Sequence, residues 1–152
     1  MDSLIPCARP PWTKCGKRLE STIRKALFDF DMLENETKIA VALSGGKDSL
    51  ALLYMLKAIS GRGFPPFTIH AIHIHGAFSC GAGIEPAFLK GICDELEVGF
   101  TSEYIDLESS KLECYTCSRK RRKRIFDIAH ALDITTIAFG HHRDDNAQTL
   151  LM

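Results

Sequence analysis

No stretch of this chain approaches the roughly 18 consecutive apolar residues that a membrane-spanning helix requires, so no membrane association of that kind is expected. The opening, MDSLIPCARPPWTKCGKR, lacks the apolar core of a signal peptide, which argues against secretion and for a cytoplasmic protein. The Walker A spacing, with four residues between its first glycine and Gly-Lys, is absent, as is the GxGxxG fingerprint of dinucleotide folds. A second CxxC pair is also missing, so the two cysteines of the first cannot complete a tetrahedral metal site by themselves. Net charge is missing too, since 19 basic and 19 acidic residues cancel. Six cysteines are present, and in a reducing compartment they read as thiols or metal ligands rather than as a disulfide framework.

The zero net charge conceals an asymmetry. Arg119-Lys120-Arg121-Arg122-Lys123-Arg124 holds six of the 19 basic residues, leaving 13 basic against 19 acidic elsewhere. A basic block on a mildly acidic body points to a localised polyanion contact. A length of 152 residues, 45% apolar and 25% charged, suits one globular domain with a real core.

Lys38 to Ser49, KIAVALSGGKDS, is the most informative stretch. Ile39 to Leu43 is a short unbroken apolar run, the pattern of a strand buried on both faces of a parallel sheet. It stops at Ser44-Gly45-Gly46-Lys47-Asp48-Ser49, and a helical segment to Ile59 follows directly. Two adjacent glycines permit a sharp turn and positive φ. Their amides, with those opening the next helix, can converge on an anion. Ser44 and Ser49 add hydroxyls and Lys47 a charge, while Asp48 could cap the helix or hold a metal ion on the phosphates.

Around that stretch, strand and helix alternate. Residues 1 to about 12, with Pro6, Pro10 and Pro11, read as an irregular arm. From Thr13 a helix is expected, with Leu19, Ile23, Ala26, Leu27 and Phe30 as its apolar stripe. The helix Ser49 to Ile59 is apolar nearly all round and should be well buried. Phe67 to His75 reads as a second strand. Its histidines at 70, 73 and 75 raise the question of a metal site, since His73 and His75 share a face, but a strand whose C-terminal end, His75, reaches a polar nucleotide pocket is the simpler account. A loop over Gly76 to Gly83 carries Cys80. A helix starting near Pro86, with Ala87, Phe88, Ile92 and Leu96, is closed by Gly99; Cys93 is a buried apolar position within it. Glu103 to Leu107 is the third expected strand. The loop ESSKLE then leads to Cys114-Tyr115-Thr116-Cys117, the basic run, and a helical stripe of Ile125, Ile128, Ala129 and Leu132. Thr135 to Phe139 is the fourth strand, followed by Gly140-His141-His142-Arg143-Asp144-Asp145 and the start of another helix. The pattern predicts a doubly wound parallel α/β sheet preceded by an N-terminal helix. Residues 1–34 form the arm and helix, and residues 35–152 the nucleotide-binding domain. SGGKDS, His75, the loop carrying Cys114 and GHHRDD would then gather at the carboxyl edge of the sheet, where open α/β sheets bind ligands.

Two further motifs carry chemistry. A CxxC pair alone can be half of a zinc site, a redox dithiol or two ligands of an iron–sulfur cluster. The basic residues beside it would favour thiolate. They are also candidates for RNA phosphate contact: Arg119, Lys120, Arg122, Lys123 and Arg124. In GHHRDD, Gly140 permits close backbone approach, and the two carboxylates suit magnesium on pyrophosphate or general-base work.

SGGKDS directly after a strand resembles the PP-loop of the N-type ATP pyrophosphatases, which split ATP between the α and β phosphates. With CYTCSRKRRKR and GHHRDDNAQTLLM, the chain from about residue 14 onward resembles the tRNA 2-thiolation enzymes of that superfamily. The 2-thiocytidine synthetases are the nearest group. The resemblance implies that ATP adenylates the 2-oxygen of a tRNA pyrimidine, with cytidine 32 of the anticodon loop as the expected target, and that sulfur then displaces AMP. It implies ATP, Mg2+ and a 4Fe–4S cluster as cofactors. The expected partners are tRNA and a sulfur donor (a cysteine desulfurase or sulfide), with a homodimer as a possible assembly. By position, Ser44, Gly45, Gly46, Lys47, Asp48, Ser49, His75, Gly140 and Asp145 would bind ATP, and Lys47, Arg121 and Asp145 would be catalytic. Cys114 and Cys117 would be cluster ligands. Family members continue for roughly another hundred residues and supply a third cluster cysteine there, so an end at Leu-Leu-Met is expected to be a truncation. The competing expectations are a tRNA-lysidine or amide-forming ligase, which needs no Cys114 and Cys117, and a non-catalytic fragment that binds ATP or RNA.

Overall fold

The computed structural model describes residues 12–76, 83–106 and 114–141, with the backbone alone for residues 114–117. The expected arm, the loop with Cys80, the loop ESSKLE and the segment with Asp144 and Asp145 lie outside the described residues.

β1 (Lys38–Ala42) is the axis of the fold, hydrogen-bonded to a parallel neighbour on either side. Its residues point alternately to opposite faces of the sheet. Ile39, Val41 and the following Leu43 enter one core cluster with α1 (Lys14–Asp29), α2 (Lys47–Ile59) and α3 (Pro86–Glu95). Ala40 and Ala42 enter another, against α4 (Cys114–Ala131). Ile39, Leu53, Ile59, Ile72 and Leu89 are all under 2% exposed, and burial of each such side chain contributes about 1.5–3 kcal/mol.

The other strands are β2 (Thr68–Gly76), β3 (Gly99–Ile105) and β4 (Thr136–Phe139), and the sheet runs β3-β2-β1-β4, all parallel. The chain thus winds outward from β1 through β2 to β3, then crosses back over the sheet to place β4 on the far side of β1. Parallel crossovers are almost always right-handed, so this reversal moves the connecting helix to the other face. That accounts for α4, among the described helices, lying opposite α1, α2 and α3. The doubly wound architecture expected from the alternation is what forms. Leu27 of α1 lies in the same core as β1, so the N-terminal helix and the sheet share one apolar interior.

Several boundaries differ from expectation. β3 starts at Gly99 rather than Glu103, because it is an edge strand whose Thr101 and Ser102 hide an apolar pattern. Gly99 therefore opens a strand instead of closing a helix. A Cβ there would come 2.4 Å from Nδ1 of His70, which lies across it. α3 ends at Glu95, and Glu97 turns the chain with φ 55°. α4 takes in the CxxC segment and the whole basic run. Lys and Arg are good helix formers, and Ile125, Ile128 and Ala129 bury one side of the same helix. In α1 the expected stripe narrows to Leu27, which is buried, and Ile23, which packs against the same core; Leu19 is 41% exposed, and Phe30, the C-cap, is 71% exposed. No helix among the described residues is long and apolar enough to cross a membrane.

Candidate functional site

The connection from β1 runs to β2 on one side while β4 pairs on its other side, so the carboxyl ends of β1 and β4 meet where the strand order reverses, the place where open α/β sheets bind ligands. A cavity of about 370 Å³ opens there. Ala42 lines it from β1, Leu43 and Ser44 from the turn that follows, Ser49 from α2, and Phe139, Gly140 and His141 from the end of β4. Ser118, Arg121, Arg122 and Ile125 of α4 close the remaining side, over Ile72 and Ile74 of β2. The volume falls in the range of small-molecule sites. It exists partly because β1 turns alanines toward α4 where larger side chains would fill the space.

The loop between β1 and α2 is built for an anion. Gly45 has φ +88°, a conformation that side chains rarely adopt, and a Cβ there would meet Ile84 Cδ1 at 2.5 Å. Gly46 is the N-cap, with no side-chain cap, so Asp48 is a first-turn residue and not the cap. The first intrahelical bond runs from Leu50 N–H to Gly46 O at 3.1 Å, which leaves the amides of Lys47, Asp48 and Ser49 ahead of the ladder. Amides in this position, with the helix dipole behind them, favour a phosphate.

The two serines close a ring. Ser49 Oγ donates to Gly46 O at 3.1 Å, so its single proton is engaged there. The 3.0 Å contact between the two hydroxyls must therefore use the proton of Ser44. Gly46 N–H in turn donates to Ser44 Oγ at 3.2 Å. The hydroxyls thus hold the loop in shape, and donation to a phosphate would require them to turn. Lys47 lies 85% exposed, with its Nζ 2.8 Å from Asp48 Oδ1.

Gly140 lies against the same turn. A Cβ at Gly140 would sit 2.8 Å from both Cα and N of Ser49 and 3.0 Å from the Asp48 carbonyl carbon. Only glycine lets the end of β4 close on the start of α2, where Gly140 and Ser49 both line the cavity.

The basic run divides according to helix geometry. Arg121 and Arg122 line the cavity, with the Arg122 guanidinium 5.9 Å over the Phe139 ring. Arg124 is turned away, held by Glu103 through Nη2–Oε2 at 2.9 Å and a second, shorter contact. Lys123 reaches Asp127 at 3.5 Å, and Arg119 and Lys120 are exposed. His75 is not among the cavity-lining residues. Its ring stacks on His73, with centroids 5.7 Å apart and planes at 4°, and meets Tyr104 edge-on. His73, 5% exposed, donates from Nδ1 to the Leu43 carbonyl at 2.7 Å, which fixes its tautomer and steadies the entry to the loop. Burial, foremost, lowers its pKa, as do the neighbouring charges of His75 and Arg121, so it is neutral at physiological pH.

The model of the PP-loop domain family matches residues 15–152 of this sequence. The chain belongs to the PP-loop domain family. Among curated relatives, the tRNA-cytidine(32) 2-sulfurtransferase of Paraburkholderia phytofirmans is 37% identical over 151 residues, an alignment covering 91% of this chain and 43% of that protein. The enzyme of the same name from Xanthomonas euvesicatoria is 34% identical over 144 residues, covering 91% and 47%. Among solved structures, the U34-tRNA thiolase NcsA from Methanococcus maripaludis, with its 4Fe–4S cluster, superposes with a TM-score of 0.71 at 28% identity. That match covers 90% of this chain and 48% of the archaeal one. The chain therefore spans somewhat under half the length of these relatives.

Within this PP-loop domain, Cys114 and Cys117 open α4, three residues apart in sequence. Ser118 and Arg121, which follow them on the helix, line the cavity. Cys93 is a different kind of thiol. Burial pushes its pKa up to about 11, so it stays protonated and packs as an apolar residue. Cys15 is exposed. Among the described residues no three His, Cys, Asp or Glu side chains form a metal site, and His142, Arg143, Asp144 and Asp145 lie outside them. Sequence reasoning did not single out Phe139 or His141 as cavity walls, the Ile84 contact at Gly45, or the bond from His73 to Leu43. The first was detectable in principle, as an aromatic residue at the carboxyl end of a central strand. The others depend on contacts between distant segments.

Proposed function

We propose that this chain is the ATP-binding part of an enzyme that thiolates tRNA, with cytidine 32 as the modified nucleotide. The observation that carries this reading is a cavity lined both by Ser44 and Ser49 of the phosphate loop and by Arg121 and Arg122 of α4. The names of the relatives add the substrate and the reaction. The sulfur would come from a cysteine desulfurase or sulfide, and tRNA as substrate makes the cytoplasm the expected compartment.

In this mechanism the amides opening α2 bind the phosphate chain, and Lys47 neutralises charge as pyrophosphate leaves. The cytidine 2-oxygen attacks the α phosphorus, the α–β bridge breaks, and pyrophosphate departs. A sulfur nucleophile then adds at C2, and AMP leaves with the original oxygen. Arg121, on the cavity wall, is placed to balance negative charge at the transferred group. Mg2+ is assigned to Asp48 and to Asp145, the second lying outside the described residues. Cys114 and Cys117, about one helical turn apart at the start of the helix whose Ser118 and Arg121 line the cavity, suit two ligand positions of a 4Fe–4S cluster, with the third to come from elsewhere in the protein. Such a cluster, when bound, supplies an iron site able to carry sulfur.

The direct test incubates the complete protein with tRNA, sulfide as sulfur donor and radiolabelled ATP. AMP and pyrophosphate should appear in equal amounts and only with tRNA present. ADP and phosphate as products would overturn the reading.

Lys47→Ala and Asp48→Ala should each weaken ATP binding about tenfold or more, the usual cost of a lost charge-assisted contact. Both side chains are solvent-accessible, so the thermal unfolding midpoint should hold. Calorimetric titration with ATP and magnesium measures this, and wild-type affinity in both variants would remove the loop from the mechanism.

Changing Arg119, Lys120 and Lys123 to Gln should lower tRNA affinity and flatten its salt dependence. Each lost phosphate contact reduces the log–log slope by about one. Arg122 and Arg124 are left in place because one faces the cavity and the other is held by Glu103. An unaltered slope would mark the exposed side of α4 as ordinary solvated surface.

A further inference from the structure

The end of β4 carries an arrangement of rings that has no part in the mechanism above. Phe139 and His141 stack with their planes at 6° and their centroids 5.7 Å apart. The Arg122 guanidinium lies over the same Phe139 ring at 5.9 Å. All three line the cavity, and His141 is exposed. We propose that Phe139 and His141, together with Arg122, form the stacking subsite for the RNA base that is modified. This rests on the tRNA-thiolation reading and assigns residues to its substrate.

Three observations lead there. Parallel aromatic rings and guanidinium planes are what proteins offer to an unstacked RNA base. Residues 139 and 141 flank Gly140, whose backbone closes on Asp48 and Ser49. A base on this platform is therefore beside the amides that hold the phosphates, as a 2-oxygen attacking the α phosphorus must be. Finally, Arg122 stands on α4 a few residues beyond the exposed Arg119 and Lys120. An RNA backbone lying along that helix delivers a base to this wall of the cavity. A loop nucleotide, already unpaired, reaches it at little unstacking cost.

The test measures binding of two anticodon stem-loop RNAs to the complete protein in the presence of α,β-methylene ATP. One has cytidine at position 32 and the other an abasic residue there. Wild type should bind the first at least about fivefold more tightly, the low end of what one stacked base contributes. His141→Ala should bind both RNAs alike, and His141→Phe should recover the preference. Phe139→Leu, which keeps an apolar side chain at the strand end, should also lose it. Affinity for ATP alone should be the same in wild type and His141→Ala. Preference for the cytidine RNA retained in both His141→Ala and Phe139→Leu would overturn the subsite. So would a fall in ATP affinity with that preference intact, since the rings would then hold adenine. Equal binding of both RNAs by wild type would remove the subsite alone. Failure of wild type to bind either RNA would remove the tRNA reading with it.

Discussion

Gly140→Ala is expected to lower ATP affinity at least tenfold and to cost about 1–3 kcal/mol of stability, the usual range for overpacking a tight contact. The added methyl would lie 2.8 Å from Cα and N of Ser49. Those are backbone atoms, and no rotamer change relieves the contact. The end of β4 and the first turn of α2 must separate, which widens the cavity where the phosphate amides converge. Gly45→Ala would probe something else. There the nearest atom is the tip of the Ile84 side chain, which can move, and the cost arises from φ +88°. Calorimetric titration and thermal unfolding of Gly140→Ala separate the two consequences. Unchanged ATP affinity would show that the β4–α2 contact does not shape the site.

Cys114→Ala and Cys117→Ala, each in the complete protein, are expected to abolish tRNA thiolation and to reduce bound iron after anaerobic reconstitution. ATP affinity should persist, because the phosphate loop belongs to β1 and α2 while the cysteines open α4. Cys15→Ala, at an exposed position on α1, is the control and should retain both iron and thiolation. A lysidine-type or amide-forming ligase would tolerate both α4 substitutions without loss of product. Full thiolation in the Cys114→Ala variant would exclude cluster chemistry at this helix.

The phosphate loop was legible in sequence because its determinants are local. An apolar run buried on both faces, a glycine pair and a helix-forming segment follow one another within Ile39 to Ile59. The sheet's winding followed from alternation alone. β3 was misplaced because an edge strand buries little, and its Thr101 and Ser102 look like loop residues. The division of the basic run was not legible either. Six consecutive Lys and Arg residues look alike until the helix sets Arg121 and Arg122 toward the cavity and Arg124 toward Glu103. Gly140 could be marked as a point of close approach, but its partner could not be named. The contact joins it to Asp48 and Ser49, which are far away in sequence and brought near only by the pairing of β4 with β1. His73 is a similar case: a strand histidine gives no local sign that its Nδ1 will hold the Leu43 carbonyl.

The claim that this PP-loop domain serves tRNA thiolation is tested most directly by mass spectrometry of tRNA nucleosides. The comparison is between cells lacking the gene and the same cells with it restored. Loss of 2-thiocytidine on deletion, recovery with the wild-type gene and no recovery with Lys47→Ala are expected. Unchanged 2-thiocytidine in the deletion strain would contradict it.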